Sequence, residues 1–163
     1  MCGIFAILNY SKQNSYKFSD DFYKGQHRGP ESSRIHGIYH GWFSYLGFHR
    51  LAINGCDEKS NQPFNFDYGG LICNGEIYNW KELYKIVDKD GTKRNTNSDC
   101  EVIIHLYRQF GIEQTLQMLD GVFAFVLYDP LKECMYVARD TYGVRPLFVG
   151  VQKGETRVHD KHI

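Results

Sequence analysis

Six residues in this sequence have the types and spacing for nucleophilic chemistry: Cys2, Arg50, Asn74, Gly75, Glu76 and Asp99. Initiator methionine is normally removed when a small residue follows it, which would leave Cys2 with a free α-amine. An α-amine titrates near about 7.7–8.0, far below a lysine, so it can serve as a general base close to neutral pH. Thiol and amine on one residue then form the compact version of a nucleophile–base pair. Asn74-Gly75 offers a side-chain amide beside a flexible backbone N–H, which together can hold an oxyanion. Glu76 follows within short reach. Arg50 closes an apolar strand and Asp99 stands in the first turn of a helix, so the two can clamp the carboxylate and ammonium of an amino acid. Each feature also has a plain structural reading. Cys2 is a small apolar residue opening a buried strand, and an isolated Asn-Gly is an ordinary hairpin turn. Arg50 is a surface charge, and Asp99 a partner of the helix dipole.

The remaining polar features say less. His49 could act as a base, but reads as a satisfied structural histidine. His159 and His162 have no further ligand candidates near them, so no metal site is expected. Arg139-Asp140 and Arg145-Pro146 flank Gly143 and read as a charged turn between strands. The five cysteines (Cys2, Cys56, Cys73, Cys100 and Cys134) form no C-x-x-C pair, which fits free thiols in a reducing cytoplasm. Nineteen basic residues balance nineteen acidic ones, so no electrostatic footprint for nucleic acid or an anionic membrane exists. No apolar run approaches the roughly 20 residues of a membrane helix, and the start lacks the basic lead-in of a secretory signal.

These residues need elements to position them, and 163 residues with 42% hydrophobic content suffice for one domain with its own core. Gly3 to Leu8 reads as a buried strand, Phe18 to Gln26 as a short helix, and Arg28-Gly29-Pro30-Glu31 as a stiff turn. Trp42 to Arg50 reads as a strand, and Leu71 to Cys73 as another that runs into a turn at Asn74-Gly75. Asn79 to Val87 has helical spacing. Ser98 and Glu101 make a capping box for a helix carrying Val102, Ile103, Leu106 and Phe110, which Gly111 stops. Glu113 to Leu119 is a further short helix. Gly121 to Tyr128 is a strand buried on both faces, joined at Asp129-Pro130 to a hairpin partner over Cys134 to Ala138, and Leu147 to Val151 is a last strand. Strands adjoin strands, which predicts an α+β domain with antiparallel sheets instead of a doubly wound parallel one.

Six stretches in order resemble the amidotransferase half of glutamine-dependent asparagine synthetase, a class-II glutamine amidotransferase of the N-terminal-nucleophile type. They are Met1-Cys2-Gly3-Ile4, His27-Arg28-Gly29-Pro30-Glu31, Phe48-His49-Arg50-Leu51-Ala52-Ile53, Asn74-Gly75-Glu76-Ile77-Tyr78-Asn79, Ser98-Asp99-Cys100-Glu101 and Leu119 through Phe148. Amidophosphoribosyltransferases and glucosamine-phosphate synthases share the opening Cys-Gly-Ile but are less similar around Asn74 to Asn79 and Asp99 to Ile104. The resemblance implies a four-layer αββα sandwich with two antiparallel sheets. It implies that Cys2 attacks the side-chain amide of glutamine, with its own α-amine moving the proton, and that Asn74 and the Gly75 N–H hold the oxyanion. It assigns Arg50 to the glutamine carboxylate, Asp99 and Glu76 to its ammonium, and the backbone near Leu51 and Ile53 to the pocket lining. Glutamate and ammonia would leave by way of a glutamyl thioester, with no metal or organic cofactor.

Two departures from the family pattern follow. Glu31 stands where the family has Asp. After Gly150 the family continues through another strand into an ATP- and Mg2+-dependent synthetase domain with a Ser-Gly-Gly-x-Asp-Ser loop, which this sequence lacks. The reading is therefore an amidotransferase domain over 2–150 and a divergent tail over 151–163, with an edge strand missing and sheet edge exposed. A separate synthetase subunit or a homodimer would be the partner. The alternative is a truncated glutamine-binding or regulatory module that turns over poorly.

Overall fold

The computed structural model describes residues 2–10, 15–40, 42–67, 69–152 and 155–159. Among the described residues, nine strands and three α-helices follow in the order β1 (Gly3–Tyr10), α1 (Ser15–Tyr23), β2 (Ser32–His40), β3 (Trp42–Arg50), β4 (Phe64–Phe66), β5 (Gly69–Ile77), α2 (Trp80–Val87), α3 (Val102–Met118), β6 (Gly121–Asp129), β7 (Cys134–Arg139), β8 (Phe148–Gln152) and β9 (Glu155–His159). The strands form two antiparallel sheets, ordered β2-β3-β1-β9-β8 and β4-β5-β6-β7.

Side-chain alternation explains why the sheets stack. On β1, Ile4 and Ala6 point into a core shared with Leu46, Phe48, Ile72, Ala124 and Val126 of both sheets. Phe5 and Ile7 point the other way, against Phe22 and Phe18 of α1. On β5 and β6, Leu71, Cys73, Phe123, Phe125 and Leu127 face a third apolar layer with Leu83 and Val87 of α2 and Val102, Ile103 and Leu106 of α3. The result is an αββα sandwich, as the resemblance implies. Strand β6 is buried on both faces because it lies between the inter-sheet core and the helix layer.

Three elements escape the sequence pattern. Strand β2 pairs with β3 along its whole length but carries mixed polar and apolar residues on a sheet edge. Strand β4 has three residues. Strand β9 corrects the expectation of a missing strand. Glu155–His159 pairs with both β1 and β8, so part of the 151–163 segment lies inside the sheet between them. His159, read as a lone terminal histidine, is a residue of that strand. Gly111 does interrupt its helix, with φ 76° and ψ 176°, and the helix resumes beyond it to Met118.

Val158 is 0% exposed within the inter-sheet core. Val158→Ala is expected to cost about 2 kcal/mol, lowering the thermal midpoint by roughly 4–8 °C in a circular-dichroism melt. A tail hanging free of the sheet would leave the midpoint unchanged.

Candidate active site

Cys2 stands immediately before β1 and is half-buried. Its Sγ faces the Leu51 main chain just after β3, donating to the Leu51 carbonyl at 3.3 Å and accepting from the Leu51 N–H at 3.4 Å. The Arg28 guanidinium donates from Nε to the Cys2 carbonyl at 3.2 Å. The stiff turn at 28–31 thus pins the residue. Gly29 packs so closely on His49 that a Cβ there would lie 2.3 Å from the His49 carbonyl. Glu31, the departure from the family pattern, accepts from the Ala52 N–H at 3.2 Å and so braces the segment bearing Leu51. Burial pushes the Cys2 thiol up, against the opposing pull of the Leu51 N–H and of Arg50. A thiol that holds its proton at neutral pH needs a base to become a nucleophile.

Asn74 and Gly75 are not a turn. Strand β5 runs straight through them, with Asn74 opposite Ala124 and Gly75 opposite Phe123 of β6. The glycine answers to close approach, since a Cβ would sit 2.2 Å from the Val122 carbonyl. In an antiparallel ladder, alternate residues turn their N–H and C=O to opposite neighbours. The Tyr78 N–H meets the Asp120 carbonyl beside β6. The odd-numbered residues Cys73, Gly75 and Ile77 therefore face the other edge, beyond the end of β4. There the Gly75 carbonyl accepts from the Cys100 thiol at 3.8 Å, and the Ile77 N–H donates to Asp99 at 2.7 Å. The Gly75 N–H points out along this same edge.

Asp99 is buried, and burial raises its pKa, opposed by the Ile77 N–H and assisted by the charge of Glu76. The expected capping box is replaced by a different arrangement. Ser98 accepts from the Cys100 N–H at 3.3 Å, while the Glu101 carboxylate reaches back to the Asn95 and Thr96 N–H groups and the Thr96 hydroxyl. Glu101 fixes the approach to Asp99 instead of capping α3.

Arg50, at the end of β3, donates through Nη1 to the Asp57 carbonyl at 3.0 Å and to the Asn61 side chain, and through Nη2 to the Gly55 carbonyl. These bonds use three of the five guanidinium N–H groups and fold the 55–61 segment against the site. His49 is structural, as read. It is buried and stacked on Phe22, with its ring nitrogens bonded to the Ser33 hydroxyl and the Phe22 carbonyl.

All of the sequence-predicted residues meet. Cys2, Arg50, Leu51 and Ile53 line one wall of a single pocket, and Asn74, Gly75, Glu76 and Asp99 line the other. Gln62, which sequence reading passed over, and Arg145, read there only as part of a charged turn, line it too. Arg145 comes from the charged turn, which Asp140 ties down by accepting from the Phe123, Tyr142, Val144 and Arg145 N–H groups. An acid that serves four amides has no local sequence signature beyond a Gly-containing turn. Among the described residues, no group of three His, Cys, Asp or Glu side chains could hold a metal ion, and no helix is long and apolar enough to cross a membrane.

The fold and this pocket define a glutamine amidotransferase domain, and the chain belongs to that family, whose profile matches residues 1–160. Within the family it is similar to the asparagine synthetases described as glutamine-hydrolyzing. It is 44% identical over 152 residues to that of Gallus gallus, covering 91% of this chain and 26% of the relative. It is 42% identical over 154 residues to that of Brassica oleracea, with 92% and 25% covered. The chain therefore spans about a quarter of the length of the curated relatives it matches. Among solved structures, the Bacillus subtilis glutamine phosphoribosylpyrophosphate amidotransferase superposes with a TM-score of 0.75 at 24% identity, over 98% of this chain and 42% of that one. That likeness speaks for the fold.

Glu101 is 3% exposed, and although burial alone would raise its pKa, the surrounding donors bring it down to about 2. A depressed carboxylate stabilises the fold fully above its unfolded value of 4.5 and loses that contribution as pH falls toward about 2. Glu101→Gln should be less stable at neutral pH by about 3 kcal/mol. In urea unfolding, the gap between the two proteins should close as pH falls from 4.5.

Proposed function

We propose that this domain hydrolyses glutamine to glutamate and ammonia through a Cys2 thioester, as the glutaminase half of an asparagine-synthetase-type enzyme. The observation that carries the reading is the convergence of the Cys2 thiol, the Asn74 carboxamide beside the β5 edge, the Arg50 guanidinium and the buried Asp99 carboxylate on a single pocket. Glutamine presents four matching groups: an electrophilic amide, a carbonyl oxygen, a carboxylate and an ammonium.

Removal of Met1 gives Cys2 an α-amine, which takes the thiol proton as sulfur attacks the amide carbon. Negative charge then collects on the former carbonyl oxygen, where the Asn74 carboxamide and the Gly75 N–H donate to it. The amine returns its proton to the departing nitrogen and ammonia leaves. Water, deprotonated by the same amine, hydrolyses the thioester and releases glutamate. Arg50 holds the substrate carboxylate, and Asp99 with Glu76 holds the ammonium. This half-reaction calls on no metal or organic cofactor. Ammonia would pass to an acceptor on a synthetase domain or subunit.

Purified protein, with a free Cys2 amine verified by mass spectrometry, should convert glutamine to glutamate, and Cys2→Ala should abolish conversion. No turnover by the folded, processed protein would remove the reading. Asn74→Ala should lower kcat about 10²–10³-fold. Because the base is an amine titrating near about 7.7–8.0, activity should fall as pH drops below about 7. A flat profile down to pH 5 would exclude the amine.

A further inference from the structure

Strand β4 ends its pairing with β5 at Phe64, opposite Leu71. The same register places position 62 opposite Cys73, two rungs further along and next to Asn74. Pro63 intervenes, and the main chain of residue 62 does not take up the ladder. The Gln62 side chain does. Its Oε1 accepts from the Cys73 N–H at 2.6 Å, and its Nε2 donates to the Cys73 carbonyl at 3.0 Å. One carboxamide therefore does what a paired residue of a neighbouring strand would do, satisfying both main-chain groups of one rung. Gln62 is 6% exposed, so water cannot replace these bonds without cost.

Because a side chain completes this rung, no strand continues past it. A longer β4 would bring a main-chain acceptor up to the next rung and cover the Gly75 N–H. Gln62 ends the pairing at Cys73 while keeping the strand straight up to the residue before Asn74. The segment carrying it is anchored on both flanks of the pocket. Asn61, its neighbour, accepts from Arg50. The Ser60 hydroxyl accepts from the Asn97 N–H at 3.0 Å, and Asp57 accepts from the Asn97 side chain at 2.7 Å, two residues before Asp99.

We propose that Gln62 is a positioning residue for the oxyanion site: its carboxamide sets the path of β5 at Cys73, and through it the placement of the Asn74 carboxamide and the Gly75 N–H. The proposal rests on the glutaminase reading above. Gln62 acts through the strand and does not touch the reacting atoms.

The test uses Gln62→Met, which keeps length and bulk but leaves both Cys73 groups unpaired. Three quantities are compared with the wild-type protein: kcat and KM for glutamine, the rate of Cys2 alkylation by iodoacetamide read by peptide mass spectrometry, and amide hydrogen exchange at Asn74 by NMR. Alkylation needs the thiol but no oxyanion site. The Asn74 N–H faces β6, so its exchange changes only if the loss is transmitted along the strand. The expected result is a kcat lowered by about 30-fold or more, with KM and alkylation within about 3-fold and Asn74 exchange faster by about 10-fold. A kcat within about 3-fold of wild type in folded Q62M would overturn the proposal, as would alkylation falling in step with kcat, because the nucleophile would then be what was disturbed. If the processed wild-type protein itself fails to hydrolyse glutamine, the glutaminase reading fails separately, and Asn74 exchange alone decides whether Gln62 holds the strand: unchanged exchange overturns it. Should Q62M not fold, Gln62→Glu, which keeps the acceptor for the Cys73 N–H and loses the donor to its carbonyl, takes its place in the same measurements.

Discussion

The site depends on an unfinished sheet edge. Strand β5 is nine residues long and its neighbour β4 only three, so a row of β5 main-chain groups must find partners other than a strand. Each rung finds a different one. Leu71 pairs with Phe64, Cys73 with the Gln62 carboxamide, and the Ile77 N–H with the Asp99 carboxylate. Between them lies Gly75, whose carbonyl meets a thiol and whose N–H faces the pocket. Had β4 run the full length of β5, that donor would be spent inside the ladder and Asp99 would lose the Ile77 N–H. Pocket and donor are thus two consequences of one short strand.

The opposite wall follows from the other sheet. Cys2 precedes β1, and Leu51, which brackets its sulfur, follows β3, the strand paired with β1. The antiparallel register brings the start of β1 beside the end of β3, with Gly3 opposite His49. Stacking of the two sheets through Ile4, Phe48, Ile72 and Ala124 then brings the ends of β1 and β5 together. Cys2 and the Asn74–Gly75 edge come from different sheets, so the inter-sheet core holds their separation.

The sequence exposes some of this and hides the rest for physical reasons. Strands β1, β3 and β6 are apolar runs whose burial dominates their composition, and Gly111 carries the break in α3 as a conformation that other residues avoid. Strand β9 reads Glu-Thr-Arg-Val-His, and nothing local reveals that Val158 will be enclosed between sheets. Asn74-Gly75 has the composition of a type I′ turn, yet β6 on one side and the edge partners on the other hold it extended. That Cys2, Arg50, Asn74, Gly75, Glu76 and Asp99 share one pocket was anticipated from chemical type and family resemblance. Their supports, Gln62, Glu101 and Asp140, act across gaps in the chain or through turn amides, where no periodicity marks them.

The charges in the pocket are divided in a way that bears on what it selects. Arg50 and Arg145 line it together with Asp99 and Glu76, so both signs are present in one small space. Asp99 is a buried carboxylate whose pKa is raised first by the loss of water and further by the nearby charge of Glu76. A bound ammonium would oppose both effects, supplying a cation to two carboxylates that repel one another. An occupant lacking a positive group would leave that repulsion in place, and one lacking a negative group would offer nothing to the Arg50 guanidinium on the opposite wall. On the proposed reading, such a division of charge suits a zwitterion better than either kind of simple ion, and the edge of β5 that carries the Gly75 N–H also carries the Ile77 N–H that holds Asp99.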